Sequence, residues 1–386
     1  MIDVAVVGAG PVGSRTASLL AKAGFSVEIL EENREVGRPV QCAGLVSPRT
    51  CEMLGKPRAL NSLRGVRVHS ALGTVLEVRA SEPRAVVIDR SEADKLVASE
   101  AVKAGAKLHL GWQLSALETK DDFVILSSMD GRTAEARLVI GADGATSTVR
   151  RLSGIVPPAE LLPAFEYELA CGSETAVSDT VDIWLGSEVA PGFFGWTIPT
   201  GSTLRVGLAV CPGEANAKGR LDALVSRTGL DGSRVLGSYA GLLPIGIVEK
   251  PYADRVMLVG DSAGHVKPLS GGGLFTGLLA AQACAKTAAS CLTADGPSLS
   301  RLSSYPSELK CALGAEVTRA SSLRSVFKSM SDKTLDSTLR TLSKPSAVAL
   351  VAREGDIDFP SRLSKGLLAK CPSLLGLAPR ALKSLL

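Results

Sequence analysis

The 386-residue sequence lacks the cysteine and histidine patterns that indicate a metal site or a disulfide framework. Its three histidines lie far apart, and its eight cysteines are scattered with no CxxC pair. We therefore predict no metal site. No secretory leader is recognisable either, so the cysteines are expected to be free thiols in a reducing cytoplasm.

Charge and long apolar runs are also scarce. The formal net charge is +4 and charged residues make up 21% of the chain, so nucleic acid is not expected as a partner. The best candidate for a membrane span, Gly271 to Leu292, starts with three glycines and contains Lys286. It is therefore predicted to be a buried core helix.

What the chain does contain is an apolar strand followed directly by a glycine-rich turn. Ile2 to Val7 is a continuous apolar run, typical of a parallel strand buried on both faces. Ser14 to Ala23 is predicted as a helix and Ser26 to Leu30 as a second strand. The turn GAGPVG between them, inside a βαβ unit, predicts a dinucleotide site.

Each glycine of that turn has a physical role. Gly8 allows the tight turn, Gly10 lets the backbone approach a pyrophosphate, and Gly13 lets helix and strand pack closely. The helix N-terminus then faces the phosphates with its positive end. Glu31, at the end of the second strand, is placed to accept the ribose hydroxyls; the alternative is a surface acid at a strand end.

A second glycine-rich loop lies far along the chain, within Val256 to Ala285. A short apolar strand ends in Gly260-Asp261, and the loop from Pro268 to Gly273 opens a long apolar helix. Such a loop holds the ribityl and ring portions of a flavin whose adenine end lies on the first motif. The pair predicts one FAD stretched across one domain.

The remaining pattern predicts an α/β chain (α+β overall). We expect a Rossmann-like FAD-binding domain, an inserted antiparallel-sheet substrate domain and a C-terminal helical region. The expected boundaries are 1–62 with 85–155 and 245–295, then 63–84 with 156–244, then 296–386. The predicted strands are Ala85 to Asp89, Lys107 to Leu110, Gln113 to Glu118, Phe123 to Ser128 and Arg137 to Ile140. The stretch from Leu161 to Val210 is predicted to contain short strands and no convincing helix. The predicted helices are Glu92 to Ala104 and Ala215 to Thr228.

Several quoted segments together resemble a known family. The general pieces are GAGPVG, the Asp89-Arg90 junction, GADGATSTVR and GDSAGHVKPLSGGG; the specific ones are VGRPVQCAGLVSPR, FGWTIPTGSTLRVGLA and GDID-P-SRL. With these the chain resembles the geranylgeranyl reductase family, flavoproteins with the para-hydroxybenzoate hydroxylase fold. Within it, the archaeal digeranylgeranylglycerophospholipid reductases fit best.

The resemblance implies FAD as cofactor and an isoprenoid lipid as substrate. The residues expected to bind the cofactor are Gly8, Gly10, Val12, Gly13, Glu31, Glu32, Cys42, Ala43, Gly44, Arg90, Leu114, Asp143, Asp261, Gly272, Gly273 and Leu274. Arg90 is expected to pair with the pyrophosphate and Asp261 with a ribityl hydroxyl, the alternatives being a surface salt bridge and a helix cap. Asp143 is expected to cap a helix beginning near Ala145.

The segment FGWTIP and its continuation look like the YxWxFP motif that lines the family's isoprenoid cavity. The expected substrate residues are Phe194, Trp196, Ile198, Pro199 and Gly207. The chain departs from the motif at Phe194, Ile198 and Ala209, which keeps an apolar wall but removes a phenol. Without the resemblance, these aromatic residues would be interpreted as the core of the second sheet.

Reduction of an isolated alkene needs a hydride on one carbon and a proton on the other. Cys42 is the expected catalytic residue, with two roles open: proton donor, or a small residue that shapes the ring pocket. His265 and Lys267 are interpreted either as ligands of a phosphate head group or as solvent-facing. No second glycine fingerprint is present, so NADPH, a ferredoxin and a reduced deazaflavin all stay open as electron donors.

The tail from Phe359 to Leu386 combines many leucines with five basic residues and no acid. It is expected either to contact an anionic membrane peripherally or to form a helical hairpin packed on the protein. The expected location is cytoplasmic. Two other functions stay open at this point: a flavin monooxygenase or halogenase of the same fold, and a non-catalytic prenyl-binding escort protein.

Overall fold

The structure is a computed structural model that describes residues 1–294 and 296–376. Within these residues the strands form three sheets. The strands in chain order are β1 (Ile2–Val7), β2 (Val27–Leu30), β3 (Leu45–Val46), β4 (Ala59–Leu63), β5 (Gly65–His69), β6 (Val75–Arg79), β7 (Ala85–Ile88), β8 (Lys107–His109), β9 (Leu114–Thr119), β10 (Val124–Ser128), β11 (Thr133–Gly141), β12 (Glu160–Ala170), β13 (Thr180–Trp184), β14 (Gly195–Pro199), β15 (Thr203–Ala209), β16 (Val235–Ile245), β17 (Tyr252–Ala253) and β18 (Val256–Leu258).

The helices alternate with the strands early in the chain and follow them at its end. In chain order they are α1 (Pro11–Lys22), α2 (Pro48–Met53), α3 (Arg90–Lys103), α4 (Thr148–Leu152), α5 (Ser173–Ala176), α6 (Ala217–Arg227), α7 (Leu274–Thr293), α8 (Leu299–Leu302), α9 (Tyr305–Ser329), α10 (Asp332–Leu342), α11 (Pro345–Glu354) and α12 (Ser364–Lys370). Among the described residues, no helix is both long and apolar enough to cross a bilayer.

The first sheet is Rossmann-like, with the order β17-β18-β11-β1-β2-β8 and the β9–β10 hairpin attached to β11. β1 pairs in parallel with both β11 and β2, and Val4, Ala5 and Val6 are fully buried. The apolar run of the sequence therefore occupies the centre of a sheet covered on both faces, as predicted. One face packs on α1 and α7, and the other lies against the hairpin.

Helix α1 begins earlier than its apolar pattern indicated. The predicted start was Ser14, whereas the helix starts at Pro11 with Gly10 as its N-cap. Proline suits this first position because its missing N–H has no partner there in any helix. A β-carbon added at Gly277 of α7 would lie 2.5 Å from Val12, so the two helices touch closely beside the glycine turn.

The second sheet has the order β16-β12-β15-β14-β13-β5-β6 and is antiparallel except for one pair. β13 runs parallel to β5, because the chain forms the β5–β6 hairpin, leaves for the first sheet and returns only later. The antiparallel prediction therefore holds for the other pairs. The short helix α5, in a stretch predicted to have none, is a connection between β12 and β13. β3, β7 and β4 form a small third sheet, which packs against the second sheet through its apolar side chains.

The C-terminal region is helical, as expected. Helix α9 packs on α7, and α10 and α11 pack on β6 of the second sheet. Arg324 of α9 is buried and reaches Glu160 of β12 at 3.2 Å, which ties this region to the second sheet. Of the basic tail residues, Arg380 and Lys383 lie outside the described part of the chain.

Candidate functional site

A cavity of about 370 Å³, here called the main cavity, lies where the parallel strands of the first sheet end. Val7, Leu30 and Ala142, at the ends of β1, β2 and β11, contribute to its wall. Ligands of open α/β sheets bind at this edge. Of the residues expected to bind the cofactor, those that line the cavity are Gly8, Gly10, Val12, Glu31, Glu32, Cys42, Arg90, Leu114, Asp143, Asp261, Gly273 and Leu274.

The turn between β1 and α1 forms part of the wall of the main cavity. Gly8 has φ +102°, a region that favours glycine, and its added β-carbon would lie 2.5 Å from the carbonyl oxygen of Ala142. Gly13 does not line the cavity, but an added β-carbon there would lie 2.2 Å from the Gly8 oxygen. Beside Gly10 there is open space for 4 Å, so a ligand can approach that backbone and the start of α1.

Acidic side chains line the wall next to this turn. Glu31 is buried and accepts hydrogen bonds from the backbone N–H of Ala9 at 2.7 Å and of Asn33 at 2.9 Å. These bonds fix the carboxylate at the end of β2, where its contact with ribose stays a prediction. Burial raises the pKa of the neighbouring Glu32, and the charges of Glu31 and Asp143 raise it further.

Asp143 caps a helix, although at a later residue than predicted. Its carboxylate accepts from the Ser147 hydroxyl at 2.5 Å and from the Val149 N–H at 3.0 Å. Helix α4 therefore begins at Thr148 with Ser147 as N-cap, three residues beyond the expected Ala145. Burial raises the pKa of Asp143, and these hydrogen bonds lower it.

Arg90 and Cys42 face the middle of the main cavity together. The Arg90 guanidinium lies 3.0 Å from Asp94, one helical turn further along α3, and it also interacts with Cys42. Burial lowers the pKa of Arg90, but Cys42 and Asp94 raise it above its ordinary value. The Cys42 sulfur also accepts from the Gly44 N–H at 3.4 Å. The Gly44 N–H therefore points at this sulfur, and the Arg90 guanidinium supplies a positive charge near it.

The segment around Cys42 is held from the second sheet. Arg205 of β15 donates to the Ala43 carbonyl at 2.8 Å, and Gly44, with φ +71°, has no room for a side chain beside Ile88. Ala43 and Gly44 do not line the main cavity, and neither does Gly272. Ala43 and Gly272 are instead next in sequence to residues that line the cavity, and Gly44 donates its N–H to the sulfur of Cys42, which lines it.

The late loop also contributes to the wall of the cavity. Burial raises the pKa of Asp261, and the nearby Arg90 lowers it. An added β-carbon at Gly273 would lie 2.7 Å from the Asp261 carboxylate, so the start of α7 and this acid are in close contact. Gly271, with φ +73°, rests against Leu243 of the second sheet and against Phe193, which lies just before β14. The loop therefore joins the two sheets.

His265 and Lys267 are both buried, so the solvent-facing interpretation is wrong for each. His265 accepts from the Gly260 N–H through Nδ1, and burial lowers its pKa to about 3. The Lys267 ammonium donates to the Ile357 carbonyl at 2.7 Å and lies 3.3 Å from Asp358. Lys267 is therefore occupied by the GDID segment of the C-terminal region.

None of the five expected substrate residues lines the main cavity; all are described and lie in β14, β15 or just before them. Phe194 stacks on Phe193 at 4.3 Å, and the Trp196 ring covers Gly207. The apolar cluster that includes Phe194 and Trp196 also includes Leu243, which does line the cavity. An apolar wall thus continues from the cavity onto the second sheet.

Sequence reasoning missed several lining residues. Asp94, Gln41, Trp112 and Leu243 all face the main cavity. The spacing of Arg90 and Asp94 by four residues on a helix was a usable signal for their pairing. The other three come from separate elements, and no local pattern indicates that they meet.

Comparison with known proteins agrees with this geometry. A family model described as an FAD binding domain matches residues 1–224. The chain is 31% identical to digeranylgeranylglycerophospholipid reductase 2 of Methanothermobacter thermautotrophicus, over 88% of this chain and 91% of that one. The protein of the same name from Methanopyrus kandleri is 30% identical over 99% of each chain. The chain belongs to the geranylgeranyl reductase family.

The fold of this family member matches a solved structure as well. A geranylgeranyl bacteriochlorophyll reductase-like protein of Thermoplasma acidophilum superimposes with a TM-score of 0.80 at 22% identity, covering 95% of this chain and 99% of that one. The cofactor of the chain is FAD. The main cavity fits it, because the open backbone at Gly10 and the residues Asp261, Gly273 and Leu274 of the late loop all line it.

Proposed function

We propose that the chain is an FAD-dependent oxidoreductase that reduces C=C bonds in the geranylgeranyl chains of archaeal ether phospholipids. The observation that carries this proposal is the contact of an apolar sheet with a flavin cavity at Leu243, in a chain whose relatives are named for this lipid reaction. Monooxygenase chemistry is the alternative that the experiments below separate.

The residues of the main cavity would divide the work as follows. The α1 N-terminus and Gly10 would bind the pyrophosphate, and Asp261 the ribityl chain. When bound, reduced FAD supplies a hydride to the alkene. Arg90 and the Gly44 N–H hold the Cys42 sulfur at the cavity wall, where its proton is available to the other alkene carbon.

The substrate chain would lie on the apolar face of the second sheet. Phe194, Trp196, Ile198, Pro199 and Gly207 are proposed to contact it, because the cluster around Trp196 extends to the cavity through Leu243. Such a wall excludes water from the reacting bond. The division into an FAD domain, an inserted substrate domain and a helical region, with the boundaries given above, is part of the same proposal.

The decisive experiment is anaerobic. Dithionite-reduced holoprotein is mixed with a geranylgeranyl ether phospholipid, and mass spectrometry counts the hydrogens gained. We expect two hydrogens for each reduced bond. Substrate oxygenation in air without any hydrogen gain would replace the proposal by monooxygenase function, and a protein that binds the lipid but changes neither lipid nor flavin would be an escort protein.

Cys42 can be tested directly. Cys42→Ser and Cys42→Ala should keep the flavin absorbance, since neither removes a pyrophosphate contact, and both should lose most lipid reduction. A matched control is available in Cys51→Ser, which changes a half-buried thiol outside the cavity. Full turnover in both Cys42 variants would leave Cys42 as a shaping residue only.

Electron donor and membrane contact complete the proposal. NADPH, reduced ferredoxin and reduced deazaflavin should be compared by the rate at which each bleaches bound FAD.

Arg362, Lys365 and Lys370 are exposed on the basic tail, and we propose that they contact anionic lipid. Lys365→Glu with Lys370→Glu should then weaken sedimentation with anionic vesicles, and unchanged binding would count against the contact.

A further inference from the structure

A buried acid lies in the second sheet, outside the residues discussed so far. Glu166 of β12 is 5% exposed. Its carboxylate accepts a hydrogen bond of 2.7 Å from the indole N–H of Trp196. A carboxyl group at such a depth is costly unless it has a role or a full set of partners. Trp196 supplies one partner and occupies one of the two oxygens.

Glu166 lies on the face of the sheet that meets the flavin domain. On β12, Leu162, Ala164 and Glu166 alternate onto the same face. Leu162 pairs with Leu243, which lines the main cavity, and Ala164 pairs with Gly241. The face that contains Glu166 is therefore the face that closes the cavity.

The segment that contains Cys42 crosses β12 near this acid. Gln41 lies over Gly241 of β16, because a β-carbon added to Gly241 would be 4.0 Å from the β-carbon of Gln41. Ala43 accepts from Arg205 of β15 at 2.8 Å. Because β12 lies between β16 and β15, the chain from Gln41 to Ala43 passes over β12. Cys42 is thus in the stretch of chain that crosses the face of β12 on which Glu166 lies.

The groups that face Glu166 determine its protonation. Glu168 comes from its own strand, Arg205 from β15 and Tyr239 from β16. Burial raises the pKa of Glu166 to about 7, the Trp196 hydrogen bond and Arg205 lower it, and Glu168 raises it. Arg205 is itself 3.7 Å from Glu168, so its charge is shared. Glu166 is therefore protonated below about pH 7 and loses its proton as the pH rises through that value.

We propose that Glu166 is the acid that returns to Cys42 the proton consumed in each reduction. This inference rests on the proposed function. Glu166 acts through Cys42 and is a positioning and proton-supplying residue, held in place by Trp196. Phe193 and Phe194, which stack beside Trp196, have no proton to give.

The step balances without a further reactant. The alkene receives a hydride on one carbon, with its two electrons from reduced FAD, and the Cys42 proton on the other. The S–H bond breaks and a C–H bond forms, which leaves a thiolate beside Arg90. The Glu166 O–H bond then breaks and the S–H bond forms again. The carboxylate takes up one proton from the buffer, so each reduced bond consumes one solvent proton.

Glu166→Gln separates this role from a structural one, because the amide oxygen still accepts from Trp196. We expect kcat at pH 6 to fall about 10²-fold with KM little changed, the size usual for lost acid catalysis. In the unmodified protein, kcat should decline as the pH rises through about 7, where Glu166 loses its proton. Equal kcat and an equal pH profile in the variant overturn the proposal.

Two neighbours should move that decline in opposite directions. Glu168→Gln, the matched control on the same strand, removes a charge that raises the pKa of Glu166, so the decline should move to lower pH while low-pH turnover is kept. Trp196→Phe removes a hydrogen bond that lowers the pKa, so the decline should move to higher pH. A decline that stays in place in both variants also overturns the proposal.

A readout without turnover keeps the two proposals distinguishable. With Trp112→Phe and Trp184→Phe, Trp196 is the remaining tryptophan of the three in the chain. Its fluorescence should titrate near pH 7 and lose that transition when Glu166→Gln is added. A missing or unaffected transition refutes titration of Glu166. Failure of the unmodified protein to reduce lipid, with the transition present, refutes the proposed function instead.

Discussion

Replacing Asp358 by alanine should destabilise the protein strongly, although this acid lies outside the main cavity. Asp358 is 1% exposed and 3.3 Å from the Lys267 ammonium, which is 8% exposed. Its carboxylate also accepts hydrogen bonds from the hydroxyls of Ser47 and Thr50, at the start of α2. One carboxylate therefore ties the flavin loop, the helix after the Cys42 segment and the C-terminal region together.

The magnitude follows from what the substitution leaves behind. Lys267 would keep only the Ile357 carbonyl as a described partner of its ammonium. Removing one member of a buried ion pair costs about 3–5 kcal/mol, because the other charge stays buried without compensation. With an unfolding entropy of about 2.1 cal/mol/K per residue, a 386-residue chain that unfolds in one step should lose about 4–6 °C in Tm.

The assay is thermal unfolding of the holoprotein followed by circular dichroism and flavin fluorescence. Lys267→Met with Asp358→Leu should recover most of the loss, since no unpaired charge remains. Asp356→Ala is the matched control, because its 3.3 Å contact with Arg49 is partly exposed and worth at most about 1 kcal/mol.

The pH dependence of the deficit gives a second check on the same reasoning. Burial lowers the pKa of Lys267, and Asp358 raises it. Without Asp358, the unpaired amine gives up its proton on folding, so the deficit should shrink as the pH rises toward the ordinary lysine pKa of about 10.4. Equal Tm values for Asp358→Ala and Asp356→Ala would refute the account of a buried, interdependent pair.

Two further predictions concern the cofactor turn and the thiols. Gly13→Ala should lower the flavin content of the purified protein, because the new β-carbon would lie 2.2 Å from the Gly8 oxygen, whereas Gly172→Ala, with open space around it, should not. Equal flavin content would contradict this. Burial raises the pKa of Cys284 to about 12, so in native protein a maleimide should label exposed Cys311 first and Cys284 only after unfolding; mass spectrometry of the labelled peptides decides.

Local patterns were enough for the elements whose cause is local. The run Ile2–Val7 was predicted with its observed bounds, because a strand buried on both faces must be apolar throughout. Helix α7 starts where the glycines stop, as expected. The observed starts of α1 and α4 differ from the predicted starts by three residues each. The reason is that Pro11 and Ser147 occupy the first positions at these helix ends, and the spacing of apolar residues does not indicate where those positions are.

Pairs between distant elements could not be predicted. Lys267 and Asp358 are 91 residues apart in sequence, and Arg205 reaches the Ala43 carbonyl across 162. Neither contact leaves a periodic signal, because each depends on how the second sheet and the C-terminal helices dock on the flavin domain. The same docking makes a buried acid of Glu166, which in the sequence is an ordinary residue of an alternating strand.

The sequence by itself determined the class of cofactor and the Rossmann-like sheet that holds it. Gly8 and Gly13 are needed for close contacts at the turn of one βαβ unit, so a short stretch of sequence is enough to predict their role. The tertiary structure alone decided which side chains meet around Cys42. Arg90 comes from α3, Arg205 from β15 and Glu166 from β12, and only the packing of the two sheets sets the distances and burial on which their chemistry depends.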